Sequence, residues 1–119
     1  YMPGCNYPSS TARTSFKRLT YGTQAVAETV NTNASEKAIG VFALQKGGTD
    51  YVLVSTASNN LQRFTWGGAS YSYQATIAGT SCTPALNQPA GVWVDPTTGN
   101  AYVANYGGNN VSVCTAAIP

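Results

Sequence analysis

Ala90-Gly91-Val92-Trp93-Val94-Asp95-Pro96-Thr97-Thr98-Gly99-Asn100-Ala101-Tyr102-Val103-Ala104-Asn105-Tyr106-Gly107-Gly108-Asn109-Asn110-Val111-Ser112-Val113 holds three short runs rich in Val, Tyr and Ala, parted by two clusters of turn residues. Asp95 offers a carboxylate to cap the first turn, Pro96 presets φ and Gly99 tolerates a positive φ, while Gly107-Gly108-Asn109-Asn110 supplies the second turn. Runs of this length, rich in β-formers and bounded by such residues, read as antiparallel hairpins.

The same pattern recurs upstream. Ile39-Gly40-Val41-Phe42-Ala43-Leu44 matches Ala90-Gly91-Val92-Trp93-Val94-Asp95 at an offset of 51, and that offset also carries Tyr51-Val52 onto Tyr102-Val103. After a one-residue deletion, Asn59-Asn60-Leu61 falls on Asn109-Asn110-Val111. Lys17-Arg18-Leu19-Thr20-Tyr21-Gly22 resembles Gln62-Arg63-Phe64-Thr65-Trp66-Gly67 at an offset of 45, so a third copy begins partway through its unit. Blocks repeating in a common order are the mark of a repeat architecture. Strands are expected near residues 14–21, 24–30, 38–44, 51–56, 60–66, 71–77, 90–95, 101–105 and 109–115. The segment from Ala25 to Val30, the one place a helix competes, aligns with the strand from Gln74 to Ile77.

The stretch from Gln88 to Val113 resembles a repeat of the NHL and YVTN types of β-propeller over 26 residues. The likeness is degraded in residues 38–66 and partial in residues 14–30. It implies an all-β chain of antiparallel four-stranded blades around a central axis, and it specifies fold better than activity. A propeller needs at least about four blades to close, whereas 119 residues supply about two and a third units of this repeat. The expected division is a partial blade at 1–37, a complete blade at 38–82 and a partial blade at 83–119. Blades incomplete at both ends expose strand edges and half-covered faces. Either a longer parent chain covers them, or copies join head to tail as a ring or filament. A small β-sandwich of the same hairpins is the alternative fold.

Composition narrows the function. The chain has no His, which removes His-based triads and His-containing zinc sites. Charged residues make up 8% of the chain against about 25% in an ordinary soluble domain. The six cations, Arg13, Lys17, Arg18, Lys37, Lys46 and Arg63, are dispersed and form no phosphate-binding stripe, so no nucleic-acid partner is expected. No apolar run reaches the roughly 18 residues of a membrane helix. No leader opens the chain, whose first residue is Tyr1, so a leader has been removed or the chain is part of something longer.

Cys5, Cys82 and Cys114 lack metal-ligand spacing and read as disulfide candidates, with one thiol left for a bridge between chains. Asn33-Ala34-Ser35 and Asn110-Val111-Ser112 are sequons, making Asn33 and Asn110 glycosylation candidates and favouring an extracellular or cell-surface location. Asp50 and Asp95 read as turn residues rather than an acid–base pair, and Glu28 and Glu36 as solvated. Among the aromatics, Trp66, Trp93 and Tyr102 repeat as Tyr21, Phe42 and Tyr51, a periodicity that assigns them to the core between blades. Tyr106, Tyr71 and Tyr73 remain as ligand or interface candidates. The expected function is that of a non-enzymatic structural or binding module, with no metal or cofactor, that self-assembles by completing partial blades. A disulfide from Cys5 or Cys114 would lock the assembly. A fragment binding a glycan or protein comes second, and a lactonase-like enzyme, implied by the resemblance alone, third.

Overall fold

The computed structural model describes residues 14–119. Among these residues every regular element of length is a strand, and the strands form three antiparallel sheets. The first pairs β1 (Ser15–Leu19) with β2 (Val26–Asn31). The second runs in the order β3 (Ala38–Lys46), β4 (Thr49–Thr56), β5 (Asn60–Trp66) and β6 (Tyr71–Ala78). The third is β7 (Pro89–Val94), β8 (Ala101–Asn105) and β9 (Asn110–Cys114). All nine expected strands are present, each end within two residues of its sequence-based position.

Two apolar clusters lie one on each side of the second sheet. Side chains alternate across a strand, and β4 shows the consequence: Val52 and Val54 pack towards the first sheet with Phe16, Val30 and Phe64, whereas Tyr51 and Leu53 pack towards the third with Val94, Ala101 and Val103. The second sheet is therefore covered on both faces, which is why Tyr51 to Thr56 are all buried. This is a three-layer arrangement, unlike the two layers of the alternative sandwich.

The glutamates are not solvated as expected. Glu28 lies 3.2 Å from Arg18 and accepts a 2.9 Å bond from the backbone N–H of Tyr71, tying the first sheet to the second. Glu36 accepts from Thr56 at 3.0 Å, Asn60 at 3.1 Å and Gln62 at 3.0 Å. Gln62, fully buried, also receives the Asn33 N–H and donates to the Asn33 carbonyl. Burying an amide requires such partners, and here they pin the short 3-10 turn Asn33–Ser35 between the sheets.

The outer edge of the third sheet is not as bare as the strand count implies. In the linker from β6 to β7, Thr83 pairs with Val113 through reciprocal backbone bonds of 2.9 Å. A disulfide joins Cys82 to Cys114 beside that bridge. Residues 82–84 thus occupy part of the fourth-strand position. Cys114 is committed within the chain, which corrects the expectation that it bridges two copies; Cys5 lies outside the described residues.

Candidate functional site

Continuing outward from the second sheet, the third presents two unequal faces. Val94, Ala101, Val103 and Cys114 turn inward to the shared core. The opposite face carries Gly91, Trp93, Tyr102, Ala104 and Val111, which line a shallow apolar depression of about 370 Å³. Trp93 is 51% exposed, Tyr102 36% and Val111 56%, and the Trp93 and Tyr102 rings lie 5.6 Å apart. This corrects the assignment of Trp93 and Tyr102 to the core.

The reason is visible one repeat earlier. Phe42 pairs with Leu53 across β3 and β4 as Trp93 pairs with Tyr102 across β7 and β8. In the second sheet that face is roofed by the third, so Phe42, Leu53 and Leu61 are core residues. Among the described residues nothing roofs the same face of the third sheet.

Two glycines mark the difference. A Cβ on Gly40 would stand 2.1 Å from the Ala90 carbonyl oxygen, a separation that real side chains do not show. The Gly40 N–H donates to the Ser55 hydroxyl at 2.9 Å, and Ser55 donates to the same Ala90 carbonyl at 2.7 Å. Gly40 is the place where β7 presses on the second sheet. Gly91 is its counterpart at the offset of 51, and a Cβ there would meet nothing within 4 Å.

The other sequence-derived candidates scatter. Tyr71 is buried, its ring 5.1 Å from Trp66 and 6.4 Å from Phe16, so it belongs to the core and not to an exposed site. Trp66 is half-buried under Arg18, which lies 4.8 Å from the ring centroid, while Tyr21, its repeat counterpart, is fully exposed. Tyr73 is partly exposed and its hydroxyl pairs with that of Thr76 at 2.8 Å. Tyr106 is 73% exposed in the turn between β8 and β9. Asn33 is exposed with its backbone held by Gln62. Asn110 is exposed too, but its side-chain oxygen accepts from Asn105 at 2.9 Å, and Ser112 of the same sequon is fully buried.

Among the described residues, no three His, Cys, Asp or Glu side chains gather to hold a metal, and no helix is long and apolar enough to cross a membrane. Asp95 caps its turn as expected, accepting from the Thr97 N–H at 2.9 Å and the Thr98 hydroxyl at 3.0 Å. The Thr97 backbone bond is the largest influence holding its carboxyl below the usual carboxylate range. Asp50 accepts from Gln45 at 3.0 Å across the β3–β4 turn. A second cleft, of about 390 Å³, is lined by polar and small residues at Ser58 to Asn60, Thr76 and Ala78 to Thr80, with Leu86.

The repeat did signal the apolar face, since Phe42 and Trp93 share a register position. What the pattern does not carry is which copies of that face another sheet covers. No protein-family model, curated protein or solved structure matches the chain.

Proposed function

We propose that this chain is a non-enzymatic structural module of the NHL and YVTN propeller type, working outside the cell, that associates with further copies through its unfinished end. The observation that carries this reading is the outer face of the third sheet, which leaves Trp93, Tyr102 and Val111 in solvent at positions whose equivalents one repeat earlier are core. Contiguous exposed apolar surface marks an interaction site more often than chance exposure does. The internal Cys82–Cys114 disulfide supports an oxidising compartment.

Sedimentation velocity over a wide range of protein concentration tests it. The weight-average mass is expected to rise above the 12.4 kDa of one chain with increasing concentration. Trp93→Glu is expected to hold it at the monomer value with an unchanged melting temperature, because half of that side chain is already in water. A monomer at every concentration overturns the proposal.

A glycan-binding reading has one observation in its favour: the Trp93 and Tyr102 rings form an exposed platform on which a sugar ring can stack.

A further inference from the structure

The two outer faces of the described structure differ in kind. On the first sheet, Phe16 and Val30 point into the core, so alternation sends Ser15, Lys17, Thr29 and Asn31 outward. Lys17 donates there to the Thr29 hydroxyl at 3.0 Å, and beyond a bulge the row ends in Leu19 and its cross-strand partner Val26, which is 55% exposed. The Lys17 ammonium and the polar side chains beside it lose free energy if stripped of water without new partners. The depression on the third sheet's outer side, lined by Gly91, Val92, Trp93, Tyr102, Ala104 and Val111, has no carboxylate, Lys or Arg in its lining.

We infer that this face mates with the same face of a second copy, across a two-fold axis. This rests on the self-association proposed above and specifies its surface and symmetry. Head-to-tail joining would set the apolar face on the Lys17 row of the next copy, stripping water from a charge that the opposing residues cannot pair. Joining like to like removes apolar surface from water on both sides and buries no charge. It also employs Gly91, where the absence of a side chain lets a strand of the second copy approach as β7 approaches Gly40. An isologous contact of this kind closes on itself, so the product is a pair and not a filament.

The size of the patch sets the strength. β8 and β9 are five residues long, and three such strands cover roughly 15 by 17 Å. This lies well below the about 800 Å² per partner of a standard interface. The pair is therefore expected to dissociate at roughly micromolar to millimolar concentration.

Sedimentation equilibrium on the full chain reads the stoichiometry, with two variants to locate the surface. The expected result is a monomer–dimer equilibrium with no larger species. Gly91→Arg is expected to weaken it at least about tenfold while leaving the melting temperature unchanged, because the new side chain starts in open space. Ala104→Cys, on the middle strand of the face and in a Cys5→Ser background, is expected to give under mild oxidation one cross-linked species of twice the chain mass. Larger species that grow with concentration, or a dimer indifferent to Gly91→Arg, would overturn the two-fold pair while leaving self-association standing. A monomer throughout removes both. A monomer whose tryptophan emission shifts with an added oligosaccharide, with the shift lost in Trp93→Ala, gives the face to a sugar and likewise overturns the pair.

Discussion

Gly40 and Gly91 are the same residue at the same point of the repeat, yet a methyl group has opposite consequences at the two. At Gly40 it would collide with the Ala90 carbonyl and displace the Ser55 hydroxyl that joins β3 to β7. Gly40→Ala is expected to cost at least about 1–3 kcal/mol, the usual range for overfilling a packed site, whereas Gly91→Ala stays within about 0.5 kcal/mol of the parent. Urea denaturation of the two variants checks the contrast; equal effects would mean that β7 does not press on Gly40. The sequence marks both positions as glycine, and only the packing of the sheets tells them apart. Tyr71 teaches the converse. The alternation of Tyr71-Ser72-Tyr73-Gln74 shows two tyrosines on one strand, but not that one ring lies in the core and the other in water.

Among the elements, the linker between β6 and β7 departs furthest from expectation. It is held by the Thr83–Val113 bridge and by the Cys82–Cys114 disulfide, which closes a loop over a separation of 32 residues. A cross-link over a loop of that length typically contributes about 2–4 kcal/mol. Replacing both cysteines with alanine is expected to lower the unfolding free energy by about that amount, read by chemical denaturation, and to speed amide exchange at Thr83 and Val113. An unchanged denaturation midpoint would show that the linker holds its place without the bond. The pairing was out of reach of the sequence, because three cysteines allow three pairings and spacing does not choose among them. The strands themselves were legible, since β-rich runs between Gly, Asn, Asp and Pro punctuation need no knowledge of their neighbours.

At the scale of the whole molecule, stability is layered. The second sheet has apolar clusters on both faces, while the first, among the described residues, has two strands and one packed face. Two-stranded units are marginal on their own, and local opening follows the distribution of buried contacts. Hydrogen exchange is therefore expected to be slowest at Val52 to Val54 and faster by at least about tenfold across β1 and β2; uniform protection would show that the three layers open as one. The C-terminal segment adds to the middle. Ala117 and Ile118 are buried in the core between the second and third sheets, Arg63 donates to the Ala117 carbonyl at 2.7 Å, and Ile118 donates its N–H to the Gly99 carbonyl at 3.0 Å.

From the sequence alone came the all-β class, the nine strands of the described residues and the Asp95 turn, because each depends on local conformational preference and on a two-residue alternation that neighbouring positions reveal. Tertiary structure alone decided the covered and bare faces of the sheets, the burial of Tyr71, the networks around Glu36 and Gln62, and the cysteine pairing. Those properties depend on what stands opposite a residue in space, and a repeat assigns identical patterns to a sheet with a neighbour and to a sheet without one.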